Sequence, residues 1–541
     1  MKLSNLLKKT LLVTLFISLS GCEADLLDTY PKNELSNANF WVSEKDAVSA
    51  VNAMYAFLPG YSEVEWDRFS DIATTNSPAA ETIQIEMGEH NSSTARFTSN
   101  WNEGYSAIRA ANYFIENVDK VLEAEPSLEE EAIKRYKAEA RFIRAFFYVR
   151  LVMLFGDVPL ITQILDEAEA RDQTRTPQEQ IWNFVDAELT EIANHLPNAY
   201  TGEDLGRITK GAALAMNARA MLYAERWSEA AEAAKAVIDM NEYSLYPNYG
   251  DLFSYDGQNN SEIILDRQYA PAVSSHNFFE QSAPVSLGGD VGISPTRNLA
   301  DSFETVNGLS ISEDPAFDPL NPYAGRDPRL DHTLFIPTFS DDVPGETLFN
   351  GRIYDPRPGS GTGDEVEVDF FRTKTGFSMD KYINEEDMID PGNGGVNFIL
   401  IRYADVLLMY VEAKIEAGQI DNSVYEAINK VRGRVNMPSV QSELGGTELL
   451  EIVRQERMVE LALEGLRFFD LRRWRTAEEV MNGAIGGMDY IPVGEATELS
   501  NISTLLYSGT LRSFDSGRDY LFPIPQQEML LVPGLEQNPG Y

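Results

Sequence analysis

A chain of 541 residues, 43% hydrophobic and 24% charged, has an ordinary globular balance and length enough for two or three lobes. Its formal net charge is −41. A field of that sign repels polyphosphates and anionic lipid, so nucleic acid is excluded as a partner and neutral or cationic ligands stay open.

Residues 1–21, MKLSNLLKKTLLVTLFISLSG, start with Lys2, Lys8 and Lys9. An apolar run from Leu11 to Leu19 follows, then the small residues Ser20 and Gly21. This is the order of a secretory signal peptide. The run is too short to span a bilayer, which takes about 20 apolar residues. Cys22, the single cysteine of the chain, sits at the expected cleavage point. With no disulfide partner in its own chain, it suits attachment chemistry. Leu19-Ser20-Gly21-Cys22 resembles a bacterial lipobox, which implies acyl chains on Cys22 and a lipidated tether over 22–35.

The first helix begins in SEKDAVSAVNAMYAFL, with Ser43 as cap and Asp46 three residues on. Residues 61–100 are polar and lack clean periodicity, and a second helix is read from Trp101 to Leu122. Ser127 and Glu130 have the spacing of another capping box. The helix behind them carries one apolar stripe through Ile133, Tyr136, Ala140, Ile143 and Phe147 and another through Phe142, Phe146, Val149 and Met153. A helix apolar on two faces is central. A further helix runs from Thr176-Pro177 to Leu196-Pro197. Two helices then meet at Arg226-Trp227, with small residues Ala218, Ala230 and Ala234 where they would approach. That is the layout of a tetratricopeptide unit, and a second copy spans 402–432, broken at Gly418.

Between the copies, residues 246–400 hold 13 of the 26 prolines and 16 of the 37 glycines, so they read as short strands and long loops. Helix returns over 448–474, followed by loops to the end. The predicted fold is mostly α, an α-α superhelix with an irregular lobe. Its parts are a helical domain at 36–245 and a second domain at 246–541, made of the lobe 246–400, helices 401–475 and a loop-rich C-terminus.

No catalytic constellation emerges. The four histidines show no metal-ligand spacing, and no HExxH occurs. GSGTG at 359–363 neither follows a clear strand nor opens a helix, as a phosphate loop requires. Asp314, Asp318, Asp327 and Asp331 lack the alternation of a calcium loop and read as a solvated polar segment. Within 454–473, Arg457–Glu460, Glu464–Arg467 and Asp470–Arg473 are spaced for i,i+3 ion pairs on a helix tied into the core by Leu463, Leu466, Phe469 and Trp474. No cofactor or metal is expected.

Several motifs, in order, resemble the SusD/RagB family of surface glycan-binding lipoproteins. They are the lipobox with Glu23 and Asp25 behind it, FWVSEKDAVSAVNAMY, WNEGYSAIRAANYFI, AEARFIRAFFYVRLVMLFGDVPL, RYADVLLMYVEAKIEAG, ERMVELALEGLRFFDLRRW and the terminal FPIPQQEMLLVPGLEQNPGY. The resemblance implies a tetratricopeptide-like scaffold with an irregular lobe. It implies a protein on the outer face of the outer membrane that delivers oligosaccharides to a SusC-like, TonB-dependent transporter, without catalysis. Peptide ligands in the same role, a glycosidase, and a scaffold binding only protein are the rival readings.

Sugar rings pack their C–H faces on aromatic side chains while their hydroxyls take hydrogen bonds. Loop position and residue type therefore nominate Trp66 with Arg68 and Asp71, and Tyr269 with His276, Asn277 and Phe278. Each loop aromatic has a second reading as a core plug. Trp101, Trp227 and Trp474 are assigned to the core.

Overall fold

The structure, a computed structural model, describes residues 40–76, 80–366 and 369–541. The signal peptide at 1–21 and Cys22 with its tether at 22–35 lie outside the described residues.

Helices α1 (Glu44–Met54), α2 (Ala95–Asn117), α3 (Glu130–Phe155), α4 (Gln178–Ile192), α5 (Lys210–Tyr223) and α6 (Trp227–Met240) come first. Beyond the loop-rich lobe are α7 (Tyr403–Glu416), α8 (Asn422–Arg434) and α9 (Gly446–Glu460). Each packs on the next: α2 on α3, α3 on α4, α4 on α5, α5 on α6, α6 on α7, and α7 on both α8 and α9. The expected helical scaffold is present, and α6 packs on α7 although the lobe 246–400 separates them in the chain.

Local chemistry explains most boundaries. The Asp46 carboxylate accepts from the Ser43 N–H at 2.9 Å and starts α1. Gly418, at φ +67°, ends the turn after α7, and Asp421 caps α8 by accepting from the Ser423 N–H. The alanines of α5 and α6, among them Ala215, Ala218, Ala230 and Ala234, are buried where the two helices meet. In α3 every residue from Phe142 to Val152 is buried, so the two predicted apolar stripes merge into one enclosed helix.

Other boundaries depart from the reading. Glu129, not Ser127, caps α3. The second helix starts six residues before Trp101, capped at Thr94. The stretch 448–474 is two helices, because Leu463 (φ +59°) and Gly465 (φ +81°) turn the chain before a short helix at Arg467–Arg473. A Cβ on Gly465 would stand 2.3 Å from the Glu63 carbonyl oxygen, so only glycine fits that approach.

The strands form two-stranded antiparallel sheets. β1 (Ala73–Thr75) pairs with β3 (Ile293–Pro295), and β2 (Ile263–Arg267) pairs with β6 (Phe398–Arg402). β4 (Leu334–Phe335) pairs with β5 (Ser378–Met379). β7 (Gly483–Tyr490) and β8 (Ser503–Arg512) form a hairpin where the sequence reads as loop, since the three glycines of β7 give it no strand propensity.

Charges expected to pair along one helix instead reach between elements. Asp470–Arg473 forms at 2.7 Å as spaced. Arg457 turns to Asp405 and Asp470, both at 3.0 Å, and Glu460 receives Arg329, Arg402 and Arg434. Glu464 takes Lys381 and Arg402, and Arg467 takes Asp71. The chain turn at 463–465 separates Glu464 from Arg467, and the buried network ties the irregular lobe to α7 and α9.

Candidate functional site

The segment after α1 folds as a 3₁₀ helix, Tyr61–Phe69, and drives Trp66 into the core. Trp66 is 2% exposed, its ring 4.9 Å from Phe468 and 6.2 Å from Phe69, with the Arg96 guanidinium 5.2 Å away. It presents no open face to a sugar. Asp71 is buried and accepts from Arg467 at 2.8 Å and from the Asn298 amide at 2.6 Å. Arg68, half-buried, lies 4.0 Å from Glu65. Trp66 and Asp71 thus lie at the junction of the 3₁₀ helix with the helix Arg467–Arg473, while Arg68 pairs within its own 3₁₀ helix.

The second predicted group does come together. Phe278 is buried and stacks on Tyr61 at 4.3 Å, and His276 lies 4.2 Å from the same ring. Tyr269 packs its hydroxyl over Gly60. Burial pushes His276 down to about 4, so its ring is neutral at physiological pH, with Nε2 3.1 Å from the Val396 carbonyl. Asn277 is the exposed member. Two residues before Tyr269, Arg267 enters a cleft of about 300 Å³ with Asp266, Gln268, Tyr55 and Arg207.

Exposed aromatic faces occur elsewhere. Among the described residues, only Tyr113, Phe370 and Phe371 are aromatics with more than a third of their surface open. Phe370, at 50%, and Phe371, at 43%, are neighbours whose rings lie 4.0 Å apart at 38°. An open aromatic surface on a loop is the feature that packs against sugar C–H faces.

Hydrogen bonds brace the platform. The Asp369 carboxylate accepts from the Phe371 N–H at 2.9 Å. Arg372 donates to that carboxylate and to the Thr362 and Gly363 carbonyls, the latter at 2.6 Å. The Lys374 N–H donates to Ser294 Oγ and the Thr375 hydroxyl to the Pro295 carbonyl, which tie the loop to β3 and through it to β1. Thr362 and Gly363 in turn line a cleft of about 560 Å³ with Arg352, Ile353, Asp341 and Asp355.

Donors and acceptors converge on this cleft. Arg357 bridges Asp341 at 2.9 Å and Asp355 at 2.8 Å. The Gly494 N–H, with the Arg357 guanidinium, holds the Asp341 carboxyl below its ordinary range, so it is an acceptor at neutral pH. Burial raises the Asp364 carboxyl, which accepts from the Ser286 N–H at 2.9 Å. Arg352 is exposed, and its guanidinium makes no ion pair among the described residues. The glycine-rich 359–363 stretch binds its own chain: the Glu365 carboxylate accepts from the Gly359 and Gly361 N–H groups at 2.7 and 2.9 Å. Among the described residues no group of three His, Cys, Asp or Glu is arranged to hold a metal, and no helix is long and apolar enough to cross a membrane.

The sequence reading passed over Phe370-Phe371, although two adjacent aromatics in DEVEVDFFRTK are a visible signal in a charged loop. The predicted Tyr269, His276, Asn277 and Phe278 share the irregular lobe with this pair, but which of its aromatics are exposed depends on packing between distant segments.

Residues 252–541 match the model of the SusD family, and residues 25–222 match a second model described as starch-binding, associating with outer membrane. A SusD-like protein of Formosa agariphila is 28% identical over 503 residues, covering 88% of this chain and 90% of its own. A SusD-like carbohydrate binding protein from Bacteroides fragilis is 30% identical, superimposes with a TM-score of 0.83, and matches 92% of this chain and all of its own. A second SusD-like protein from the same species is 25% identical with a TM-score of 0.78, over 95% of this chain and all of its own. With one family model spanning more than half of its length and the helical scaffold in common, the chain belongs to the SusD family.

Proposed function

We propose that this protein is a cell-surface lipoprotein, anchored at Cys22, that captures oligosaccharides and delivers them to a partner TonB-dependent outer-membrane transporter without cleaving them. The observation that carries the ligand reading is the open Phe370–Phe371 pair beside a polar cleft. Stacking supplies affinity, and Arg352, Asp341 and Asp355 supply hydrogen bonds for hydroxyls that would otherwise lose water. The half-buried Tyr269 and His276, with the exposed Asn277, form a secondary candidate, while Trp66, Arg68, Asp71 and Phe278 act by holding the scaffold under it. The likeness to a carbohydrate binding protein and the outer-membrane description of the second family model support the same role.

Native affinity gels carrying a panel of polysaccharides test this. Wild type should be retarded by one or more, and Phe370→Ala with Phe371→Ala should cut the affinity at least tenfold, each stacked ring being worth about 0.5–1.5 kcal/mol beyond its buried area. Unchanged retention in the double variant, with an unchanged circular-dichroism spectrum, would remove the platform from the site. Reducing ends released by the purified protein would overturn the non-catalytic reading.

A further inference from the structure

β7 and β8 form a ribbon whose two faces differ. On β8, Leu505, Thr510 and Arg512 are buried, while Leu506, 58% exposed, and Leu511, 55% exposed, turn the other way. Residues 508–510 bulge out between Tyr507 and Leu511, so the two leucines share the outer face although they are five positions apart. Their partners across the ribbon are Gly486 and Ala484, too small to cover them.

β8 is also an edge. It pairs with β7 alone, and among the described residues no backbone group of 504–511 bonds outside the ribbon. Past its end the Ser513 N–H donates to the Glu86 carbonyl, so the helix Ala80–Glu86 covers that end. An unpaired edge beside a bare apolar face is a template for a further strand.

The surrounding charge selects which strand. Residues 476–511 contain no lysine, arginine or histidine, and they hold Glu478, Glu479, Asp489, Glu495 and Glu498. Glu479 lies in the short helix Ala477–Val480, just before β7, and Glu495 and Glu498 lie in the connection between β7 and β8. Acids therefore flank the leucines at both ends of the ribbon. These three are exposed, and their carboxylates make no ion pair or hydrogen bond among the described residues. One guanidinium reaches the outer face: the Arg297 stem lies over Gly486, and its head is taken by Asp489 at 2.8 Å and Asp301 at 3.1 Å. Two copies of the chain laid edge to edge would set these acids against one another, on molecules that each carry a net charge of −41. A strand with lysine or arginine near its ends meets attraction at the same places.

We propose that the outer face and free edge of β8 are the docking site for an extended, basic segment of another protein. The segment adds as a strand to β8, lays aliphatic side chains on Leu506 and Leu511, and brings lysine or arginine to Glu479, Glu495 and Glu498. The Met488 N–H bonds to the Thr375 carbonyl at 2.8 Å, which ties the ribbon to the loop carrying Phe370 and Phe371. A docked partner is thus fixed relative to the platform; that consequence rests on the glycan reading, and the docking does not.

A labelled nine-residue peptide, with valine and threonine alternating over five positions between a lysine pair at each end, tests this by fluorescence anisotropy on the purified protein. It should bind at least tenfold tighter than the same peptide with glutamate for lysine. Methylating the backbone nitrogens of its core leaves the charge and blocks strand addition, and should weaken binding at least fivefold. Leu506→Ser with Leu511→Ser should cost at least tenfold, and Phe370→Ala with Phe371→Ala less than twofold. Hydrogen exchange should slow at 503–511 when the lysine peptide is added. Equal binding of the methylated peptide to wild type, an arm in which no variant has to fold, would reduce the contact to charge alone and overturn the proposal. So would failure of the lysine peptide to bind, or an affinity indifferent to both leucines. A wild-type dimer in sedimentation that the leucine variant dissolves would overturn it too, by assigning the face to a second copy.

Discussion

Asp67 and Glu460 are both buried carboxyls, and their surroundings move them in opposite directions. Burial pushes Asp67 up to about 8, against backbone N–H bonds from Gly465, at 2.8 Å, and from Arg467, with Glu464 adding to the rise. In the unfolded chain such a group ionises near pH 4, so between about pH 4 and 8 the native state holds the extra proton. Stability therefore falls as pH rises through that window. Asp67→Asn keeps the shape and removes the charge; its melting temperature should gain on wild type between pH 5 and pH 8, by an equivalent of about 1–3 kcal/mol. A gap constant with pH would show that Asp67 ionises normally. At Glu460, burial also pushes upward, but Arg434, Arg402 and Arg329 outweigh it and hold the carboxyl well below the ordinary range. Its contribution is present above about pH 4 and is lost as pH falls through the folded value. Glu460→Gln leaves three guanidiniums short of a partner and should cost about 3–5 kcal/mol at pH 7 in urea denaturation. The loss should shrink in acid below pH 4, as the wild-type carboxylate itself takes up a proton.

The turn between α9 and the helix Arg467–Arg473 is where element boundaries and long-range packing meet. Gly465 combines a left-handed φ with a 2.3 Å approach to the Glu63 carbonyl, so Gly465→Ala meets both strain and a clash. It should lower the urea midpoint by an equivalent of at least 2 kcal/mol, whereas Gly445→Ala, at φ −67° with open space around it, should be neutral within about 0.5 kcal/mol. Equal effects would deny the turn any special geometry. This turn also shows what a sequence can and cannot disclose. α1, the α5–α6 pair and the α7–α8 pair were legible because their caps, breaks and apolar spacing are local. The break at 463–465 was not, since Leu461, Leu463 and Leu466 continue an apolar pattern straight through it, and the close approach of Gly465 to Glu63 involves a distant segment. The same distance dependence governs the site. Trp66 looked like a loop aromatic until Phe468 and Phe469 closed over it, while Phe370 and Phe371 pack on each other and stay about half open.

For the whole molecule, a formal charge of −41 sets what approaches, and the local site sets what stays. At 20 mM salt the Debye length is about 20 Å, so an arriving polyanion feels much of the molecule's negative field; at 300 mM it shrinks to about 6 Å, and only neighbouring charges count. Near the platform those neighbours are mixed: Arg352 and Arg372 stand among Asp341, Asp355 and Asp369. A neutral glucan, held by stacking and hydrogen bonds, should therefore bind with an affinity that changes less than twofold between 20 and 300 mM salt by isothermal titration. A uronate- or sulfate-bearing glycan faces global repulsion that salt removes, so any affinity it has should rise over the same range. The opposite trend, a polyanion gripped tightly at low salt and released at high salt, would mean that a few exposed guanidiniums override the field of the whole body. Arg352→Gln would then have to abolish that trend, and a platform reading built on neutral sugar faces would give way to one built on Arg352.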